Sequence, residues 1–496
     1  MGWVLCLVER GVDGASRGVE VLAIERPGDL SNLVDLGLTH AEGKRLLTRV
    51  QQAIVAAQSR AHATRRPPCR SCGTACRVKD YRPHRIATLF GEVTVRLPRC
   101  RCARCGEAQA GVGWPTYSRS TPEFDQVRAQ LAALLPYRIA AGVLAHLLPV
   151  DAGMDAETLR AHTLKLGNEL VDAAATEPAP SAAAITLTVD STFIRCCEDD
   201  QRHLEVRLGN AEPSEGTRRV FAAVAKTDTA IETLIRCTLT EVGQGTDTEL
   251  TAFTDGCPGL RALLVEAGVT APPLLDWFHV AMRLQHAEKS AGSLPADTPE
   301  REQAKKRIIT DVERLHWRIW HGKVADAQLT LEHIQHVMPA FHGERGPDFK
   351  RSASRRLWTA LCKIDRYLAS QSASLTNYAE RHRADLRVGT ALTEGAANFL
   401  VNRRTAKSQQ MRWSRRGADR LLQVRCAVIN GKLGSGPGHL FKVEFNPEVD
   451  LASHLAEAPA SKLWALPSVG VTIPRRLFRH WVWGHHQPQT PAKVKA

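Results

Sequence analysis

Two pairs of cysteines, each with two residues between its members, constrain this chain more than any other feature of its sequence. Cys69 and Cys72 form the first pair, in "PPCRSCG", and Cys102 and Cys105 form the second, in "CRCARCG". Between the pairs lie two β-prone runs separated by a glycine, a pattern that predicts a β-hairpin. Two such pairs flanking a hairpin predict a zinc ribbon-like unit in which four thiolates hold a structural Zn²⁺.

Two more cysteines lie within the same segment, Cys76 and Cys100. Cys100 is two residues from Cys102, so these two cannot form a CxxC turn, and we place Cys76 and Cys100 outside the ligand set. An unmetallated cluster of small buried cysteines is the competing interpretation. Because four cysteine ligands leave zinc no open position, the metal is expected to be structural and not catalytic.

The composition favours a polyanionic partner. A net charge of +14 in 496 residues makes nucleic acid the first candidate, although a merely basic protein has the same charge. The length predicts two to four domains. We find no apolar run of about 18 residues and no signal-peptide pattern, so we expect a cytoplasmic protein with no membrane partner.

The order of sequence patterns predicts a mixed α/β fold. Strand-like runs, among them "TLIRCTLTEV", begin at residue 185 and then alternate with helical patterns, which is typical of a mixed sheet flanked by helices. Helical patterns dominate residues 286–390, where the expected core anchors are Trp317, Trp320, Trp358 and Tyr367. Two helices joined by a turn at Gly153 resemble a helix-turn-helix, although an ordinary helical hairpin has the same pattern. The predicted segments are an N-terminal helical region (1–66), the zinc ribbon-like unit (67–110), a helix-turn-helix-like DNA-binding region (111–176), the first part of the α/β core (185–285), a helical segment (286–390), the end of the core with a basic helix (391–440), and a basic C-terminal tail (441–496).

Two acids are expected at the ends of strands. Asp190 lies in "ITLTVDSTFIR", where it is expected to end the first strand of the core, and Asp255 follows a later strand in "AFTDGC". Carboxylates at neighbouring strand ends repel each other unless divalent cations bridge them. Oxygen ligands suit Mg²⁺ or Mn²⁺, and a pair of such ions catalyses phosphodiester chemistry.

Glu394 is the candidate for a third acid, because it begins a predicted helix whose next turns are basic. Each acid taken singly is more often a turn or cap residue than a metal ligand. Asp311, Glu313 and Glu380 also lie between Asp255 and Glu394, so the residue pattern alone does not select Glu394.

The chain resembles bacterial insertion-sequence transposases of the DDE type, specifically the ISKra group, which is more loosely related to Mutator-like transposases. The resemblance covers about residues 60–440. Its motifs are "LFGEVTVRLPRCRCARCG", "LLPYRIAAGVLAHLLPVDAG", "TVDSTF", "FTDGC", "DWFHVAMR" and "TEGAANFLVNRR…MRWSRRGADRLLQVR".

The resemblance implies an RNase H-like catalytic core, with residues 286–390 as a large helical insertion. Asp190, Asp255 and Glu394 then match the three catalytic, metal-binding acids. Asp276 and His279, at the ends of "DWFH", match a motif that supports DNA strand positioning, although a buried polar pair at a strand end is an alternative. The basic helix is expected to bind DNA. Trp413 is expected either to stack on a base or to pack against other side chains of the protein. The DNA-binding candidates are Arg403, Arg404, Lys407, Arg412 and Trp413.

The resemblance therefore implies an enzyme that cleaves and joins DNA. It would cut at the terminal inverted repeats of its insertion sequence and transfer the ends to target DNA, with Mg²⁺ or Mn²⁺, as a dimer or larger assembly on DNA. The alternative is a zinc-containing, non-catalytic DNA-binding regulator, for which Asp190, Asp255 and Glu394 would have no use.

Overall fold

The computed structural model is a mixed α/β protein that divides into two compact units. The first comprises Met1–Leu250, Glu266–Gly268 and Leu392–Val443, and the second Thr251–Val265, Val269–Ala391 and Glu444–Ala496. The structure describes residues 1–10, 16–28, 33–110, 118–150, 155–172, 179–198, 202–341, 352–389, 398–405 and 411–433. None of the helices formed by these residues has both the length and the apolar character needed to cross a membrane.

The N-terminus of the first unit contains a β-hairpin that the sequence patterns did not predict. Strands β1 (Gly2–Arg10) and β2 (Ser16–Glu25) pair antiparallel and precede the expected helix α1 (His40–Ala63). Thr39 and Glu42 form a reciprocal capping box at the start of α1. The side chain of Arg26, which follows β2, also contacts the Glu42 carboxylate and so ties the hairpin to the helix.

The cysteine-rich segment contains the expected hairpin. Strands β3 (Cys76–Thr88) and β4 (Gly91–Cys102) pair antiparallel, and the short strand β5 (Ala108–Ala110) joins the edge of β4. Val93, Val95 and Leu97 on β4 are buried, and α1 packs along this strand. The hairpin therefore holds the two cysteine pairs at one end and a small apolar core at the other.

Three helices follow where the sequence patterns predicted two. The first predicted helix is divided at Pro136 into α2 (Pro122–Leu134) and α3 (Tyr137–Leu147), because proline has no backbone N–H to continue the helix. The third is α4 (Ala156–Asp172). The turn at Gly153 lies outside the described residues. Since α4 packs against the last described helix of the chain, one of its faces is covered by protein.

The first unit also contains three strands and a helix of the α/β core. Strands β6 (Ala184–Arg195), β7 (His203–Pro213) and β8 (Arg219–Val224) form an antiparallel array. The run "TLIRCTLTEV", expected to be a strand, belongs instead to helix α5 (Ile231–Glu241). Its β-prone residues are spaced as in a helix, so that Ile231, Ile235 and Leu239 share one buried face.

Strands β9 (Glu249–Thr254) and β10 (Leu274–Leu275) complete a five-stranded sheet in the order β10-β9-β6-β7-β8. Strand β9 leads into helix α6 (Pro258–Glu266), and β10 pairs parallel to β9.

The second unit is mainly helical. Helices α7 (Trp277–Gly292), α8 (Pro299–Trp320), α9 (Val324–Val337), α10 (Ala353–Gln371) and α11 (Tyr378–Arg383) surround one apolar core. Trp277 and Tyr378 are buried at its centre, whereas Trp317 and Trp358, two expected core anchors, are 50% and 37% exposed. Trp320 and Tyr367, the other two expected anchors, pack against the core and are partly buried.

The basic region near the C-terminus is not one long helix. A π-helical turn (Asn398–Asn402) leads into the three-residue helix α12 (Arg403–Thr405), and helix α13 spans Arg415–Ile429. Before α13, the backbone N–H of Trp413 donates to Arg195 O, and Trp413 O accepts from Cys197 N. Extended pairing with the end of β6 therefore replaces the expected helix at this point.

Helix α13 is the centre of the first unit. Every residue from Ala418 to Ala427 is buried, and Leu421 and Leu422 pack against Val206 and Leu208 of β7. The buried ion pair of Asp419 and Arg420 is satisfied by neighbouring groups, since Asp419 accepts from Val224 N and Thr229 Oγ1. This burial explains why a sequence segment with many basic residues does not form an exposed helix.

Candidate metal centre and acidic site

The four predicted zinc ligands lie together in one cluster. Ligand atoms of Cys69, Cys72, Cys102 and Cys105 all lie within 4.8 Å of one another, the only such group of metal-binding side chains among the described residues. The Sγ atoms of Cys69 and Cys105 are 3.5 Å apart, as are those of Cys72 and Cys102. A tetrahedral zinc site with Zn–S bonds of about 2.3 Å has sulfur atoms about 3.8 Å apart, so the cluster can hold an ion such as Zn²⁺.

The two cysteine pairs adopt the same turn. Gly73 N donates to Cys69 O at 2.9 Å, and Gly106 N donates to Cys102 O at 3.1 Å. Gly73 and Gly106 have φ angles of 73° and 74°, a left-handed conformation that glycine adopts without strain. The glycine after each pair is therefore part of the ligand arrangement, because it closes the turn that points both sulfur atoms inward.

Backbone N–H groups stabilise one thiolate directly. The N–H of Cys105, assisted by that of Arg104, lowers the pKa of the Cys102 thiol to about 6. Because a metal ion binds the thiolate form, the backbone N–H groups of this turn favour the form of Cys102 that binds the metal. Glu107 N also donates towards Cys105, but contacts with the other three sulfur atoms raise the pKa of Cys105 to about 12.

Cys76 and Cys100 lie beside the cluster and outside it, as expected. Both are buried, with Cys100 fully inaccessible, and they pack with Cys69 and Cys102. Burial raises the pKa of the Cys76 thiol, which favours the neutral form that does not bind a metal. Cys76 and Cys100 therefore pack against the metal centre as small apolar side chains.

Asp190 is not at the end of a strand. Strand β6 continues to Arg195, because Ser191, Thr192 and Ile194 go on pairing with β7, so Asp190 lies at its middle. The expectation of a strand-end acid is wrong here. The carboxylate is half-buried, and its Oδ1 accepts a hydrogen bond from Ser191 N at 2.7 Å. Asp190 is therefore an acid placed within the sheet.

Asp255 directly follows the last residue of β9, as predicted. Its Oδ1 accepts from Cys257 N at 2.8 Å, a short turn that leads into α6. The next residue, Gly256, has a φ of 88°, and a Cβ there would lie 2.8 Å from a methyl carbon of Leu275. Only glycine fits this bend, which leaves the Asp255 carboxylate half-buried at the strand end.

Asp276 lies at the end of the neighbouring parallel strand. Leu275 pairs with Thr254, so Asp255 and Asp276 are the next residues on two adjacent strands. Asp276 is 1% exposed and caps helix α7, with Oδ1 accepting from Phe278 N at 2.9 Å. His279 Nε2 lies 3.7 Å from Asp276 Oδ2. The structure thus brings Asp255, Asp276 and His279 to one edge of the parallel pair.

Tyr367 of α10 is a member of this site that we expected only as a core anchor. Its hydroxyl donates to Asp255 O at 3.0 Å, and Arg283 lies over its ring at 4.4 Å. Burial, together with the charges of Asp255 and Asp276, raises the pKa of Tyr367 to about 12, although Arg283 opposes this shift. Nothing in the sequence near Tyr367 distinguishes it from a packing tyrosine, because its partner is 112 residues away.

The expected DNA-binding residues divide into two groups. Arg403 and Arg412 are exposed. Arg404 is 1% exposed and donates through Nε to Ala132 O, and Trp413 is 8% exposed in the core around α13. Arg404 therefore presents no surface to DNA in this structure, and Trp413 packs in the core, which is the alternative expected for it. The guanidinium of Arg404 lies 5.3 Å from the centre of the Trp413 ring in a cation–π contact. Glu394 and Lys407 lie outside the described residues.

No model of a known protein family matches the chain, and a search of curated proteins finds no significant relative.

Proposed function

We propose that this protein is a DDE transposase with an RNase H-like core, acting at the terminal inverted repeats of its own insertion sequence. The observation that carries the proposal is the half-buried carboxylate of Asp255 at the end of a parallel strand, beside the bend at Gly256. Tyr367 and Gln371 hold the backbone of this bend by donating to the carbonyl oxygens of Asp255 and Gly256. Open sheets build their sites at such strand ends. The mixed sheet, with an antiparallel array and a parallel pair, supports the same core.

Asp190, Asp255 and Glu394 are the proposed ligands of two Mg²⁺ or Mn²⁺ ions. Carboxylate oxygens are the ligands these cations prefer. Held by these carboxylates, two such ions would supply activation of a water molecule or a 3′-hydroxyl and stabilisation of the leaving oxygen of a phosphodiester. Asp276 caps the start of α7 with His279 beside it, and these two residues are proposed to support DNA strand positioning.

The cysteine centre has a binding role in this proposal. With zinc in place, the β3–β4 hairpin would hold its basic residues toward the phosphates of the inverted repeats. Arg403 and Arg412 remain proposed contacts. Two DNA ends must meet during strand transfer, so the active assembly on DNA is at least a dimer.

The test is cleavage of labelled DNA that carries the inverted repeats flanking the gene, with Mg²⁺ or Mn²⁺. We expect Asp190→Asn and Asp255→Asn each to lower the cleavage rate by roughly 10³-fold or more, which corresponds to an activation free energy raised by about 4 kcal/mol. Both variants should still bind DNA. Asp247→Asn, at an exposed turn, is the matched control and should cleave normally.

The alternative function is a zinc-containing DNA-binding regulator without catalytic activity. It is favoured by the cysteine centre, whose four thiolates leave no catalytic position. Specific binding with no metal-dependent cleavage by the wild type would select this alternative. Cleavage that survives both carboxylate substitutions would refute the assignment of the acids.

A further inference from the structure

Helix α10 of the second unit has two different faces. Leu357, Leu361, Ile364 and Leu368 are each no more than 3% exposed and form part of the unit's apolar core. Their spacing is that of one side of an amphipathic helix. The core therefore fixes how α10 is rotated and which residues face the solvent.

The solvent-facing side of α10 is basic. Its sequence contains four basic side chains, one of them Arg355, and one acidic side chain, Asp365. The other three basic residues, Arg356, Lys363 and Arg366, are all exposed. In the part of the chain that the structure describes, none of these three forms an ion pair. At 100° per residue, the three side chains occupy an arc of about 80° on the helix. We call these three residues the α10 stripe.

On helix α8 of the same unit, two basic side chains are paired with acids four residues away. Lys306 pairs with Glu302 at 2.7 Å, and Arg301 pairs with Asp297 at 2.8 Å. Such pairs neutralise the cations and add local helix stability. Three or four positions from each residue of the α10 stripe there is no acid on the helix, so among the described residues its charge is left available for an external anion.

The same helix is fixed to the acidic site. At its C-terminal end, Tyr367 donates to Asp255 O and Gln371 Nε2 donates to Gly256 O, both at 3.0 Å. Arg366 is adjacent to Tyr367, and Arg356 lies ten residues earlier, about 15 Å along the helix axis. The stripe therefore begins beside the Asp255 bend and extends away from it for about four base-pair steps of 3.4 Å.

We propose that the α10 stripe binds the phosphate backbone of duplex DNA and directs it toward Asp255. The binding follows from charge and position, and only its purpose rests on the proposed transposase function. This assigns the helical segment 286–390 a direct role in holding DNA.

The test compares two double substitutions that remove the same charge: Lys363→Gln with Arg366→Gln on α10, and Lys306→Gln with Arg307→Gln on α8. All four residues are exposed, so both variants should fold. Loss of the Lys306–Glu302 pair should lower the melting temperature of the α8 variant only slightly. Affinity for a labelled duplex is measured without Mg²⁺ or Mn²⁺ over a range of salt concentrations.

For the α10 variant, we expect the slope of log K against log salt to fall by about 1.8, because each phosphate contact contributes about 0.9. Affinity at 0.1 M salt should fall by about tenfold or more, with little change for the α8 variant. Equal losses in both variants, or no loss in either, would overturn the proposal, as would binding of the stripe to anionic vesicles in preference to DNA. If the wild type binds DNA through the stripe but never cleaves it, the transposase proposal fails and this one stands.

Discussion

Gly167 of α4 lies against the backbone of Arg420 in α13. A Cβ at Gly167 would be 2.7 Å from both the Cβ and the carbonyl oxygen of Arg420, closer than any side chain allows. Beside it, Asn168 Oδ1 accepts a hydrogen bond from Arg420 Nε at 2.7 Å. The absence of a side chain at Gly167 therefore lets the two helices approach closely enough for this polar contact.

Gly167→Ala should destabilise the protein by about 1–3 kcal/mol, because the two backbones must separate. Gly142 is the matched control, since it lies within α3 and a Cβ there meets nothing within 4 Å. Gly142→Ala should stabilise by up to about 1 kcal/mol through helix propensity. Urea denaturation of the two variants measures both values, and a neutral Gly167→Ala would contradict the close approach.

The two carboxylates that contact Arg420 should contribute very differently to stability. Asp419 is fully buried, and removing it as Asp419→Ala leaves the Arg420 guanidinium without its buried partner, at a cost of about 3–5 kcal/mol. Asp228 has 70% of its side chain exposed, and Asp228→Ala should cost less than about 1 kcal/mol. Thermal unfolding measures the loss of stability in each variant. Equal losses in Asp419→Ala and Asp228→Ala would contradict the prediction.

The capping box of α1 should make the N-terminal hairpin and helix sensitive to acid. The hydrogen bond from Arg26, with those from Thr39, lowers the pKa of Glu42 from 4.5 to about 2. Because the folded pKa is the lower one, the ionised carboxylate stabilises this region above about pH 4.5, and that stabilisation is lost as the pH falls toward 2.

Wild type should therefore exceed Glu42→Gln in stability at pH 6, and the difference should shrink through this window. Denaturation of both proteins at a series of pH values measures it. A difference that stays constant down to pH 2 would show that the Glu42 carboxyl is not the titrating group.

Metal content should depend on the four clustered cysteines and not on their neighbours. Cys72→Ser should lose the bound zinc and lower the melting temperature, because a three-thiolate site binds the ion more weakly. Cys100→Ser should keep about one zinc ion per chain, as should Cys6→Ser on the exposed face of β1. Elemental analysis of purified protein decides this, and wild type without zinc would favour the unmetallated cluster.

The cysteine centre could be predicted from the sequence because its geometry is local. The four ligands come from two short turns of identical form, and the hairpin between them has its own turn signal at Gly91. The position of Asp255 is predictable for a similar reason, since "TDG" ends a strand where glycine must take a left-handed conformation. Such signals depend on residues only a few positions apart.

The errors arise where burial depends on distant parts of the chain. Arg404 lies in a basic run, but it is covered by Ala132 and Tyr137, which lie more than 260 residues earlier. The sequence favours a strand end at Asp190 because an acid within a sheet is usually costly. The pairing of residues 191–195 with β7 continues past it nonetheless, and nothing near Asp190 in the sequence reveals that partner.

The division of the first unit into separate chain segments has a consequence during synthesis on the ribosome. Residues of β7 and β8 bury their apolar side chains against α13, yet about 190 residues separate Val224 from Arg415. At about 5–20 residues per second, that interval takes about 10–40 s. During this time Val206, Leu208 and Val220 are exposed on the nascent chain and can aggregate. Chaperone binding to the β7–β8 hairpin is therefore expected to determine how much folded protein a cell recovers.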